Sequence, residues 1–232
     1  LDECIDAGVK DIIFIISKKK KIIKKYFYND AFYKKIIKKK KDKKIIDQYK
    51  KILFYKKKIK FVYQNSPLGT GDAVLKTQKY IKNKYFLMIL PDDLIIKKNC
   101  SKEMIHVHKK FKSSVMASMK VNKNTVKRWG IYSFKKNLDK KNFLISDVVE
   151  KPDIKNAPSN NAVIGRYILP KKIFKYLVTQ KKGKGGEIHV TDSIKSLINN
   201  GSKFVGHRFS GKYLDCGTMN GYIKSSMEMS KI

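Results

Sequence analysis

The sequence predicts an α/β fold of the doubly wound type, and three observations carry that prediction. Three apolar runs, "DIIFIIS" (11–17), "IKFVYQ" (59–64) and "YFLMILP" (85–91), are continuous rather than alternating, as in strands covered on both faces. Helix-forming stretches lie between them. Glycine-rich or acidic residues follow the second and third runs, where strands of an open α/β sheet end and ligands bind.

Residues 2–8 read as a helix ending at Gly8, and 11–17 as the first strand. The Lys-rich segment 18–58 places Ile22, Ile23, Tyr26, Phe27, Phe32, Ile36 and Ile37 at roughly helical spacing, which predicts solvated helices over an apolar stripe rather than a basic arm. A strand (59–64), a helix (71–82) and a third strand (85–91) complete a first half in which the strands should run parallel. In the second half, 99–111 suits a helix and "SVMASMKV" (114–121) alternates like a half-buried strand. "WGIYSF" (129–134) and "FLISDVVEKP" (143–152) pair like a hairpin, and "NAVIGRYILP" (161–170) is a further strand. "KKIFKYL" and "GEIHVTDSIKSLINNG" are helices, and "KFVGHRF" and "KYLDCGT" are strands before a last helix whose apolar spacing would allow a second copy to pack. No linker or repeat interrupts the chain, so 1–232 reads as one domain with a mixed sheet appended to the parallel part.

A formal net charge of +35 can attract polyanions without any specific site. Only three of the 54 basic residues are Arg (Arg128, Arg166, Arg208), however, whereas fork-like reading of bases and phosphates favours Arg. Abundant Ile, Lys, Asn and Tyr together are what an AT-rich genome encodes, so neither specific nucleic acid binding nor a membrane partner is expected. Cys4, Cys100 and Cys216 show no CxxC spacing and suit a reducing cytosol. No apolar run approaches the ~18 residues of a membrane span.

The stretch "QNSPLGTGDAV" (64–74) joins a strand to a helix. Gly69 and Gly71 would let a phosphate or a flat ring approach the main chain, and the Gln64 amide offers a donor and an acceptor to a base edge. A tight turn that uses glycine for its own conformation explains the same residues. "LPDD" puts Asp92 at a strand end, and "YLDCGT" does the same for Asp215. Two such carboxylates can share a Mg²⁺ ion whose shell phosphate oxygens complete. In "EKP", Glu150 can accept from sugar hydroxyls and Lys151 can hold a phosphate, although on its own the tripeptide reads better as an ordinary surface ion pair. The histidines His106, His108, His189 and His207 are not spaced as metal ligands and receive no role.

Taken together, "QNSPLGTGDAV", "LPDD", "RWGIYSF", "VVEKP", "SNNAVIGRYIL", "GGEIHVTDSI" and "YLDCGTMNGY" resemble the bacterial UTP–glucose-1-phosphate uridylyltransferases in order and spacing along nearly the whole chain. The resemblance implies a Rossmann-like mixed sheet of the nucleotide-diphospho-sugar transferase type and the synthesis of UDP-glucose from UTP and glucose 1-phosphate. It implies that Gln64, Gly69 and Gly71 lie at the nucleotide and that Asp92 and Asp215 hold Mg²⁺. Gly130, Glu150, Lys151, Asn161 and Gly165 would line the sugar-phosphate side, with Asp92, Lys151 and Asp215 as the catalytic set. Glu187, Thr191 and Asp192 match a family motif too, with a helix-start or packing role equally open. A glucose-1-phosphate thymidylyltransferase is the enzymatic alternative, and a non-catalytic basic polyanion-binding protein the other. The family also carries, ahead of the helix that begins here near Leu1, a strand and a "GxGTR…PK" loop around the triphosphate. This sequence shows neither, so the expectation is a polypeptide with its N-terminal part missing, an empty first-strand position and little activity of its own.

Overall fold

The computed structural model of the protein describes residues 1–40 and 42–231, and the side chains of Phe32, Lys40 and Lys184 lie outside what is described. Helix α1 (Asp2–Asp6) turns through Gly8, at φ 86, toward β1 (Ile12–Ile16). The Lys-rich segment divides into α2 (Lys21–Tyr28), α3 (Ala31–Lys40) and α4 (Lys43–Lys56). Asp42 starts α4 by accepting from the backbone N–H groups of Lys44 and Ile45, two donors that the helix leaves open. The apolar stripe is only partly used. Phe27 is buried with Tyr33, Ile52, Tyr55 and Ile59, whereas Ile22 and Tyr26 face solvent.

Strand β2 (Ile59–Tyr63) pairs in parallel with β1, from Ile12 opposite Ile59 to Ile16 opposite Tyr63. Helix α5 (Thr70–Leu75) is shorter than the 71–82 expected and ends in a 3₁₀ turn at 78–80. After β3 (Tyr85–Ile89) comes β4 (Asp93–Ile96), a strand that the apolar pattern did not disclose. Helix α6 (Cys100–Phe111), capped by Asn99, leads to β5 (Ser114–Lys120), β6 (Gly130–Asn137), β7 (Asn142–Glu150) and β8 (Asn161–Pro170). The chain closes with α7 (Ile173–Thr179), α8 (Val190–Asn199), β9 (Phe204–Arg208), β10 (Lys212–Asp215) and α9 (Met219–Met229).

The main sheet runs β3-β8-β5-β9-β7-β6, and β6 also returns to β8 where Ile131 meets Ala162. Within it only β5 and β9 are parallel. Strands β1 and β2 are parallel as expected but form a ladder of their own, while β3 joins β8 antiparallel. Among the described residues β1 and β3 are not paired to each other, and Ile12 to Ile15 and all of β3 stay half-buried. Strand β5 differs from its alternating pattern as well. Ser114 to Ser118 are all buried, because β5 lies between β8 and β9 and is covered by α6.

The larger core gathers Tyr132, Phe143, Leu169, Leu197 and Phe204, all essentially without solvent contact. Each such side chain contributes about 1.5–3 kcal/mol over its exposed state. A second cluster, with Met104, Val115, Ile164 and Val205, seats α6 on the opposite face. Among the described residues no helix is long and apolar enough to cross a membrane.

Candidate active site

The residues singled out in the sequence gather where β2, β3, β7 and β10 end and β6 and β8 begin. Asp92 lies in the turn between β3 and β4, not within a strand, and its backbone carbonyl accepts from Cys216 N–H at 2.8 Å. That bond fastens the turn to the end of β10. Strand β10 pairs antiparallel with β4, bringing Asp215 opposite Asp93. A Cβ on Gly217 would lie 2.9 Å from Asp92 Oδ2 and 3.4 Å from Asp215 Oδ1, so both carboxylates converge on this glycine.

Asp215 is already occupied. Its Oδ2 accepts from Arg128 Nη2 at 2.5 Å, and its Oδ1 from Gly217 N–H at 2.9 Å. The exposed Asp92 carboxylate makes no hydrogen bond or ion pair among the described residues. Asp93, absent from the sequence-based set, faces inward instead: Oδ1 accepts from Tyr213 OH at 2.6 Å and Oδ2 from Gly165 N–H at 2.7 Å. Burial pushes its carboxyl above the ordinary range, against the lowering effect of those two bonds. Burial, then the charges of Glu150, Asp93 and Asp92, drives the Tyr167 phenol upward. These carboxylates thus form one acidic patch in a chain with only 19 acidic residues against 54 basic ones.

Such a patch fits a divalent cation. Asp92 and Asp215 are hard oxygen donors, and two carboxylates plus substrate oxygens suit Mg²⁺. Among the described residues no group of three His, Cys, Asp or Glu is arranged to hold a metal.

On the other side of Arg128 the chain enters β6. Gly130 sits opposite Glu150, and a Cβ there would approach Glu150 Oε2 to 3.3 Å and Val163 to 3.2 Å. Glu150 Oε2 accepts from Thr191 Oγ at 2.7 Å. Thr191 is buried in the first turn of α8, so its role is to orient Glu150 as well as to pack. Lys151 follows at φ 45, a left-handed conformation that a non-glycine residue adopts at a cost of about 1 kcal/mol or more, with its backbone N–H on Trp129 carbonyl. Its Nζ stands 4.0 Å from Glu150 Oε1. Asn161 is buried at the start of β8. Its Nδ2 donates to Ser159 Oγ at 3.3 Å, and its Oδ1 has no hydrogen-bond partner among the described residues.

The glycine loop is shaped by the protein itself. Gly69 has φ 102 and ψ 174, and a Cβ there would come within 2.5 Å of Ile188 carbonyl oxygen. A Cβ on Gly71 would come within 2.9 Å of Ile188, and backbone bonds Gly71 N–H to Ile188 O and Ile188 N–H to Leu68 O join the loop to the segment before α8. Gln64 Nε2 donates to both Gly69 O (3.1 Å) and Asp72 Oδ2 (2.9 Å). Its two amide protons are thus committed internally. The donor expected for a base edge is spent, and the carbonyl oxygen is left as an acceptor.

Gly165 has a packing reason for its type as well. It lies where β8 bulges against β5, and a Cβ would strike Asp93 Oδ2 and Leu90 Cβ, each at 2.5 Å. Its glycine is explained by that packing behind the acidic patch. Asp192, in the first turn of α8, accepts from Gln180 Nε2 at 3.4 Å, and Glu187 is exposed. Sequence reasoning missed Arg128, Asp93 and Tyr213. The one signal for Arg128 was its type, one of three Arg among 54 basic residues.

Carboxylates at strand ends, beside a glycine turn leading into a helix, define a nucleotide-handling α/β transferase. The nucleotidyl transferase family profile matches residues 1–232, and the chain belongs to that family. Its similarity runs to a particular branch. A Methanocaldococcus jannaschii protein, provisionally named a UTP–glucose-1-phosphate uridylyltransferase, is 32% identical over 229 residues, covering 99% of this chain and 80% of the relative. The crystal structure of a UDP-glucose pyrophosphorylase complexed with UDP-glucose superposes with a TM-score of 0.87 at 31% identity, over 99% of this chain and 84% of the other. The UTP-bound enzyme from Acinetobacter baumannii gives 0.84 at 27% identity, over 98% and 79%.

Proposed function

We propose that the protein transfers the uridylyl group of UTP to glucose 1-phosphate, releasing pyrophosphate and giving UDP-glucose. The observation that carries this reading is the convergence of Asp92 and Asp215 on Gly217, one arginine away from the Gly130–Glu150–Lys151 corner. The similarity to UDP-glucose pyrophosphorylases over almost the whole chain supports it.

A phosphate oxygen of glucose 1-phosphate attacks the α-phosphorus of UTP, and pyrophosphate leaves from the opposite side. The attacking oxygen is already anionic at neutral pH, so no side chain has to act as base or nucleophile. What the chain supplies is orientation and charge neutralisation. Glu150, held by Thr191, accepts from sugar hydroxyls above Gly130, and Lys151 presents its ammonium to the sugar phosphate. Asn161 Oδ1, buried and unpartnered, is suited to accept a sugar hydroxyl. Gln64 keeps a carbonyl oxygen that can accept the uracil N3–H, with Gly69 and Gly71 beside it. Asp92 and Asp215 would hold Mg²⁺, which when bound offsets the phosphate charge. The three cysteines are free thiols, consistent with a reducing cytoplasm.

The test is pyrophosphate release by protein expressed from its complete reading frame, supplied with UTP, glucose 1-phosphate and Mg²⁺. Release that falls by at least ~100-fold in Asp92→Asn supports the reading, and no release at all overturns it. Thymine shares the N3–H that Gln64 would read, so a thymidylyltransferase is separated by comparing UTP with dTTP.

A further inference from the structure

We propose that Arg128, paired with Asp215, is a ligand for the sugar phosphate that leaves this carboxylate when a divalent cation takes it. This inference rests on the proposed function and deepens it.

Geometry comes first. Arg128 Nη2 and Asp215 Oδ2 are 2.5 Å apart, and Asp215 is one of the two carboxylates that converge on Gly217. A cation held by Asp92 and Asp215 competes directly with the guanidinium for the same oxygen. Two residues along the chain, Gly130 lies against Glu150 and is followed across the hairpin by Lys151. Arg128 thus lies two residues before Gly130 and next to Trp129, whose carbonyl accepts from Lys151 N–H, so its backbone adjoins the sugar-phosphate corner. Its side chain is about half exposed (46%), with the guanidinium over the Trp129 ring at 5.4 Å, so it can change partners without unpacking the core.

Energetics and chemistry agree. A half-exposed ion pair contributes little to stability, and Lys would serve it as well as Arg. Yet this chain uses Arg at only three positions. Arg166 uses its planar fork on Glu3, and Arg208 lies over the Phe143 ring at 4.8 Å. Arg128 pairs with Asp215 and stacks on Trp129, both at a half-exposed position, and its planar fork also fits two phosphate oxygens.

The experiment combines Mn²⁺ titration, followed by the electron paramagnetic resonance signal of free ion, with steady-state kinetics of the full-length protein. Arg128→Gln should bind Mn²⁺ about 3–10-fold more tightly than the wild type, because the competitor is gone. The same variant should raise KM for glucose 1-phosphate by about 10-fold or more and KM for UTP much less, with Arg128→Lys recovering only part. Unchanged Mn²⁺ affinity in Arg128→Gln, or full recovery by Lys, overturns the inference. Asp92→Asn separates the two levels: if it binds Mn²⁺ like the wild type, the metal reading itself fails and the Arg128 inference falls with it. If it loses Mn²⁺ while Arg128→Gln changes nothing, only the Arg128 inference is refuted.

Discussion

Replacing Glu3 with Ala should cost this protein more than any surface substitution. Glu3 on α1 accepts from Arg166 Nε at 3.0 and 3.2 Å and from Arg166 Nη2 at 2.8 Å, and also from Ser101 N–H and Oγ at the start of α6. Arg166 is only 3% exposed. Without Glu3 its charge is left buried, with the carbonyls of Leu90 and Gly165 as its other acceptors, both at 3.1 Å. Breaking a buried pair in this way costs about 3–5 kcal/mol. For a chain of this size that corresponds to a fall in Tm of roughly 10 °C. The bonds reach further than α1, because Leu90 precedes the Asp92 turn and Glu3 ties the β1–β2 layer to the main sheet.

The assay is urea unfolding at pH 7 read by circular dichroism and tryptophan fluorescence together. If the chain is one cooperative domain, both signals should shift together in Glu3→Ala. The dependence on pH has a definite sign. Burial acts to raise the Glu3 carboxyl, but the Arg166 and Ser101 bonds outweigh it and leave it below its ordinary value of 4.5. The folded state thus favours the ionised form, and its contribution is present above pH 4.5 and is lost as pH falls through the depressed folded value. The gap between wild type and Glu3→Ala should therefore narrow in acid. A variant within about 0.5 kcal/mol of the wild type at pH 7 would falsify the argument, since that is the size of an ordinary surface change.

Three further outcomes are expected. Gly69→Ala, which places a methyl 2.5 Å from Ile188 O at φ 102, should lose about 2–3 kcal/mol in the same unfolding assay and raise KM for UTP. Thr191→Val, which leaves Glu150 Oε2 without its 2.7 Å donor, should raise KM for glucose 1-phosphate about 5-fold with global stability lowered by only about 1 kcal/mol. Burial lowers the His207 imidazole below its ordinary 6.5, despite the opposing Glu103 bond, so the folded state prefers it neutral. Stability should then decline as pH falls below 6.5, and His207→Gln should flatten that part of the thermal-melt profile.

Strand and helix identities were largely legible in the sequence, because continuous apolar runs and helical spacing are local consequences of what each segment must bury. The places of Asp92, Asp215, Glu150 and Lys151 at or next to the ends of apolar strands were legible for the same reason. Pairing was not. Only the tertiary structure decided that β3 runs antiparallel to β8, that β4 exists and pairs with β10, and that "SVMASMKV" is buried on both faces, since each depends on partners far along the chain. Tertiary contacts also decided what the glycines answer to. Gly69 and Gly71 accommodate Ile188, and Gly165 accommodates Asp93 and Leu90, neighbours that no local motif can name. The same holds for Arg128 on Asp215, 87 positions away: sequence fixes the charge of each residue, while the fold determines which charges meet.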